Sequence, residues 1–268
     1  RARTGTTRRY PALQAMALRD KRIYVLGTPD LPTSPVHIYL DVESDPDAGF
    51  VYLIGLLVVD NEHSTAQTYS FWADTQEQEA HIFAQFVAEV ARHEDCRVFC
   101  YGDHERAFIQ RMRKVTTRSD VVDHILNAVV NILAVIYAHI YFPTFSNSLK
   151  DIGRYLGSAW TAPDASGLQS IAWRVQWEAS HAQEWRQKLQ TYNLEDCAAL
   201  KTVYDVLRTI SSKVGCDDRS LMDDKDRLPI ARLEDVERLT DYHKWGDTRF
   251  VHPDYDYVNN CAYFDYQR

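Results

Sequence analysis

The clearest pattern along the chain is the alternation His37-Ile38-Tyr39-Leu40-Asp41-Val42-Glu43. Successive side chains of a strand point to opposite faces, so Val36, Ile38, Leu40 and Val42 form one apolar face while Tyr39, Asp41 and Glu43 share the other. Turn formers fill residues 44–49. Residues 51–59 are almost wholly apolar and predict a second strand, and residues 67–72 alternate well enough to predict a third. The short connections predict an antiparallel meander. Thr75 with Gln78 makes a capping-box signature ahead of Ile82, Phe83, Phe86, Val87 and Val90 at helical spacing. Residues 97–101 read as a fourth strand, followed by a helix over 103–114 and a long helix over 120–137. Ser148 and Asp151 suit another helix start, before Ile152, Tyr155 and Leu156, with Gly157 as its stop. A polar, tryptophan-bearing stretch comes next, and residues 182–207 read as one long helix.

Three strands, a helix, a fourth strand and then helices describe an α/β fold. The expected architecture is a mixed sheet, an antiparallel meander plus a parallel strand, flanked by helices. Residues 1–35 are expected to be a lead-in, with a short helix over 12–18 and Pro32 and Pro35 punctuating the approach to the first strand. The folded unit spans residues 36–210. Residues 211–268 form a charged, then aromatic C-terminal extension that is expected to lead to another module.

Composition narrows the class. The 268 residues are 45% hydrophobic, enough to bury a substantial core. A formal net charge of -8 supplies no global basic field to recruit nucleic acid, so such binding has to come from local patches or bound metal. Five cysteines, an odd count with no C-x-x-C pair, point to a reducing, cytoplasmic compartment and away from a disulfide framework or zinc ribbon. The most apolar run, residues 128–142, is interrupted by Asn131 and His139. It falls short of the roughly 20 residues that span a bilayer, so no membrane partner is expected. The chain starts without Met in a linker-like stretch, as an excised piece of a longer protein would.

Acids then appear where apolar residues are expected. On the helix after the fourth strand, the stripe of Phe108, Ile109 and Met112 steps back one turn onto Glu105. On the last long helix, Leu189, Tyr192, Asp196, Leu200, Val203 and Leu207 step by three or four, and Asp196 interrupts the apolar face. Burying an unpaired carboxylate costs several kcal/mol or more, so such acids have a cationic partner or line a cleft. Plainer accounts exist for each: a solvent-facing strand for Asp41 and Glu43, a macrodipole-favoured first turn for Glu105, a rotated helix for Asp196.

One hypothesis replaces these separate coincidences: Asp41, Glu43, Glu105 and Asp196 share a divalent-metal site. Hard oxygen ligands select Mg²⁺ or Mn²⁺, and two such ions about 4 Å apart can hold the attacking and leaving oxygens of a phosphodiester displacement. Tyr192, one turn before Asp196, is too weak a base at a pKa near 10 and is suited instead to orient the attacking water. The hypothesis requires Asp41 and Asp196 to converge. It also requires that no lysine or arginine already neutralise the cluster.

These residues resemble the DEDD superfamily of 3′-to-5′ exonucleases on the ribonuclease H-like fold. Residues 39–43 look like its first motif, residues 98–105 like its second, and Tyr192-Asn193-Leu194-Glu195-Asp196 like its third in the tyrosine form, Y-x-x-x-D. Residues 149–157 and 192–197 more narrowly resemble the YprB-type ribonuclease H-like domain of predicted RecB-like nucleases. The likeness covers residues 36–207. It implies metal-dependent hydrolysis of nucleic acid at a single-stranded 3′ end in the family's manner, with Asp41, Glu43, Glu105 and Asp196 binding metal and Tyr192 positioning the nucleophile. It also implies further nuclease or helicase-like modules as neighbours. Glu105 stands where the wider superfamily has Asp, and Asp103 is the alternative ligand.

Arg106, Arg111, Arg113, Lys114 and Arg118 are candidates to track a phosphate backbone, and Trp160, Trp173 and Trp177 to stack bases. A solvated basic helix face and an aromatic core are the plainer alternatives. The rival function is a catalytically inactive ribonuclease H-like module that binds nucleic acid or docks a partner. An endonuclease of the PD-(D/E)xK kind should show an acid-x-Lys pair on a strand after an Asp, and no convincing pair is present.

Overall fold

The computed structural model describes residues 9–45, 47, 49–212 and 228–234. Along them run helix α1 (Pro11–Asp20) and strands β1 (Ile23–Val25), β2 (Val36–Asp45), β3 (Phe50–Asp60) and β4 (Thr65–Trp72). Helix α2 (Glu79–Val90), strand β5 (Cys96–Cys100), helices α3 (His104–Arg113) and α4 (Ser119–Ala128) and strand β6 (Val129–Asn131) follow. Then come helix α5 (Ile132–His139), strand β7 (Ile140–Tyr141), helices α6 (Leu149–Tyr155), α7 (Gly167–Ser180) and α8 (Gln183–Ser212), and strand β8 (Ile230–Arg232). The arginine-rich start at residues 1–8 and nearly all of the C-terminal extension lie outside the described residues.

The alternating segment β2 is the middle strand of a five-stranded sheet ordered β4-β3-β2-β5-β6. It pairs antiparallel with β3 and parallel with β5, and β3 pairs antiparallel with β4. The mixed α/β sheet expected from the sequence is thus present, lengthened by β6 parallel to β5. Val36, Ile38, Leu40 and Val42 pack in one cluster with Ile82, Phe83 and Phe86 of α2 and with Phe108 and Ile109 of α3. On the opposite face Tyr39 packs with Phe99 and with Leu200, Val203 and Tyr204 of α8. Both faces of β2 are therefore covered, and Asp41 and Glu43 do not sit on an open solvent face.

Two local expectations are corrected, and one stretch left unassigned gains a helix. The long helix over 120–137 is broken into α4, β6 and α5. Val129 and Val130 are β-branched and extend to pair with β5, and the Asn131 side chain then accepts from Ala134 N to cap α5. No Gly or Pro marks the break. The Thr75–Gln78 capping box does not form, because Gln78 Oε1 reaches Asp74 N at 2.7 Å and Thr75 makes no side-chain cap. The tryptophan-bearing stretch contains α7, capped by Ser166, whose side chain accepts from Gln169 N. Its inner face carries the buried Arg174, whose guanidinium donates to Ala73 O, Asp74 O and Glu178 Oε1 and lies 4.5 Å from the ring centroids of Tyr52 and Trp177. A cation on the inner face erases the apolar stripe that would have signalled the helix.

The stretch expected as a lead-in supplies α1 and β1. Strand β1 joins β7 and β8 in a second sheet ordered β7-β1-β8. Ile23 and Val25 pack into the cluster that holds Ile140, Phe142, Leu207 and Ile210. Among the described residues no helix is long and apolar enough to cross a membrane.

Candidate metal centre

Helix α8 crosses the sheet face that carries Tyr39 and sets Asp196 beside the end of β2. Asp41, Glu43 and Asp196 each offer a carboxylate oxygen, and the three oxygens lie within 4.8 Å of one another. The convergence required of Asp41 and Asp196 is met. The β2–β3 register shifts between Glu43 and Ser44, a bulge of the kind that re-aims a strand's side chains next to a site.

Each carboxylate has its own support. Asn193, fully buried on α8, donates from Nδ2 to Asp41 Oδ2 at 2.6 Å and to Asp41 O at 3.1 Å. Its amide lies against Gly55, the cross-strand partner of Asp41, where an added Cβ would meet Asn193 Oδ1 at 1.8 Å. Glycine at 55 is what leaves room for this arm. Ser170 Oγ on α7 is 2.9 Å from Glu43 Oε2. Asp196 accepts from Trp160 Nε1 at 2.7 Å and from Lys150 Nζ at 3.0 and 3.2 Å. Lys150 also donates to the Tyr192 hydroxyl at 2.6 Å.

Glu105, in the first turn of α3, is buried and stands outside the group of three oxygens. Its Oε2 is buried without a hydrogen-bond partner. Its charge nonetheless acts on Asp41 and Glu43. Asp103 is exposed and accepts from Asn131 Nδ2 at 3.0 Å.

Burial and mutual repulsion make the ionised cluster costly. Burial first, then the charges of Asp196, Glu43 and Glu105, push the Asp41 carboxyl well above the ordinary range, with Lys150 opposing. Glu43 is pushed up to about 7, mainly by burial, against the hydrogen bond from Ser170. Glu105 is also pushed up to about 7 by burial. Asp196 is raised by burial and pulled back by Lys150, Trp160 and Tyr192. Tyr192 is raised by burial and by the neighbouring carboxylates, so its phenol keeps its proton at any working pH.

One lysine does not neutralise four carboxylates. Among the described residues Asp196 alone of the four has an ion-pair partner, Lys150, whose charge also acts on Asp41 and Glu43, so the condition set on neutralising cations is met only in part. Hard oxygen donors from three residues within reach of a single point, with the buried Glu105 Oε2 left without a hydrogen-bond partner, fit a hard divalent cation.

A family model described as the RNase_H superfamily matches residues 38–208, from β2 into α8. The chain belongs to the RNase_H superfamily. No curated protein and no solved structure matches it. For this RNase H-like domain the superfamily points to nucleic acid as the bound partner and to its hydrolysis as the chemistry.

The expected nucleic-acid contacts fare unevenly. Trp173 and Trp177 are buried, at 2% and 5% exposure, and belong to the core rather than to a stacking platform. Trp160 is half-buried with its indole N–H on Asp196. Arg111 pairs with the buried Glu79, Arg113 with Asp123, and Arg106 donates to Leu126 O, whereas Lys114 and Arg118 are exposed. Lys150, Asn193, Ser170 and Gly55 have no role in the sequence reading. Only Asn193 left a usable trace there: an amide on the apolar face of a helix, between a tyrosine and an acid of that face.

Proposed function

We propose that the RNase H-like domain hydrolyses phosphodiester bonds of nucleic acid with divalent metal, as a 3′-to-5′ exonuclease of the tyrosine-type DEDD kind acting on single-stranded ends. The observation that carries the reading is the meeting of Asp41, Glu43 and Asp196 oxygens within 4.8 Å in a part-buried site. In this reading those three acids and Glu105 hold two ions, Mg²⁺ or Mn²⁺. The bound ions supply a hydroxide at neutral pH and stabilise the departing alkoxide.

The chain's own residues do the rest. Asn193 fixes the rotamer of Asp41, and Ser170 does the same for Glu43. Trp160 orients Asp196 by donating its indole N–H to Oδ1. Tyr192, held as a neutral phenol, orients the attacking water by hydrogen bonding and takes no proton. The polarity, the single-stranded substrate and the neighbouring nuclease or helicase-like modules follow from the resemblance of the three motifs to that family.

A catalytically silent module is the second reading, and the contact of Lys150 with Asp196 favours it. Against it, a silent module gains nothing from keeping Glu105 buried and Glu43 part-buried without an ion pair. The deciding experiment incubates end-labelled single-stranded DNA and RNA with the protein in Mn²⁺ or EDTA, beside Asp41→Ala and Asp196→Ala. Metal-dependent shortening from the 3′ end, absent in both variants, is expected. Equal degradation by the variants would overturn the reading.

A further inference from the structure

We propose that the Lys150 ammonium is an internal cation that occupies the Asp196 side of the cluster while nucleic acid is absent. In that state the site takes one divalent ion, and the second position opens only when Lys150 swings away. The inference rests on the metal reading above and adds its regulation.

Lys150 is the second residue of α6, and its side chain is 18% exposed. Its Nζ has both oxygens of Asp196 within 3.2 Å and the Tyr192 hydroxyl at 2.6 Å. It also lies 4.4 Å from the Tyr192 ring centroid and 5.6 Å from that of Trp160. A lysine ammonium has three donors and no lone pair, and here the three go to three oxygens. It is a satisfied cation inside the site rather than a surface charge that happens to be close.

Two competitions follow. A divalent ion drawn to Asp196 meets a like charge within hydrogen-bond distance of the same carboxylate, in surroundings where screening by water is weak. The Tyr192 oxygen, accepting from Lys150, is also engaged on the side that would accept from a water. Asp41 and Glu43 make no ion pair with a cation among the described residues and feel Lys150 only at longer range, so the first ion meets less opposition there. The four-carbon stem of Lys150 is flexible, and an incoming phosphate is a better partner for its point charge than a carboxylate that a metal is neutralising. Arrival of the nucleic-acid backbone and of the second ion are thereby linked.

The test is Mn²⁺ titration of the whole protein by calorimetry, with electron paramagnetic resonance to detect a spin-coupled Mn²⁺ pair. Wild type, Lys150→Met, Lys150→Gln and the control Lys201→Met are compared without nucleic acid and with a short phosphorothioate oligodeoxynucleotide. One ion is expected for wild type and Lys201→Met alone, and two with the oligonucleotide. Lys150→Met and Lys150→Gln are expected to take two ions unaided, the second bound roughly tenfold or more tightly than by wild type. Two ions on wild type without nucleic acid would overturn the proposal even if both Lys150 variants failed to fold, and so would a single ion on folded variants. Absence of Mn²⁺ binding from every protein would overturn the metal reading itself, which separates the two failures.

Discussion

Glu105→Gln removes a negative charge that the fold holds at a loss, so in metal-free protein it should stabilise. An ordinary glutamate titrates near 4.5, whereas folded Glu105 is pushed up to about 7. Between those values the folded state binds more protons than the unfolded one, so stability falls as pH rises across the window and is lower by a constant amount above it. At about 1.4 kcal/mol per pH unit, the ionised Glu105 costs the fold about 3 kcal/mol at pH 8. The glutamine leaves one buried amide group poorly paired, at roughly 1 kcal/mol, which leaves a net gain of about 2 kcal/mol. Urea denaturation in EDTA at pH 5 and pH 8 reads this directly. The variant should match or fall below wild type at pH 5 and exceed it at pH 8, and saturating Mn²⁺ should shrink or reverse the difference. A variant less stable than wild type at pH 8 in EDTA would show that Glu105 is already compensated and refute the electrostatic argument.

Gly55→Ala should drive a methyl group into Asn193, displace the arm that holds Asp41, and lower both stability, by about 1–3 kcal/mol, and Mn²⁺ affinity; thermal melts and metal titration check both, and unchanged metal binding would remove Asn193 from the site. Arg111→Met should leave Glu79, buried and bonded to Val51 N at 2.6 Å, without its cation, and destabilise by roughly 1–3 kcal/mol with Mn²⁺ binding unchanged, as chemical denaturation beside the metal titration would show.

What the sequence disclosed tracks the regularity of its patterns. Strand β2 alternates strictly and α8 steps by three and four over its length, so the two elements that bring Asp41, Glu43 and Asp196 together were legible, and with them the mixed sheet. Helix α7 was not, because Arg174 sits where a periodic apolar residue would. The break at Val129–Asn131 was hidden for the opposite reason: its residues suit an apolar helix as well as a strand, and only the open edge of β5 decides between them. Lys150 was visible as a residue but not as a neighbour of Asp196. Contacts between α6 and α8 depend on how two helices lie across one sheet, which no local spacing encodes.

The small sheet β7-β1-β8 also bears on how this protein can be handled. Its central strand comes from the early chain and a flanking strand from beyond α8, so a version trimmed to begin at Val36 would strip Ile23 and Val25 from the apolar seam they share with Leu207 and Ile210. Such a trimmed protein would expose the lower half of the very helix that bears Asp196, and loss of nuclease activity in it would report a loosened scaffold rather than a missing catalytic group.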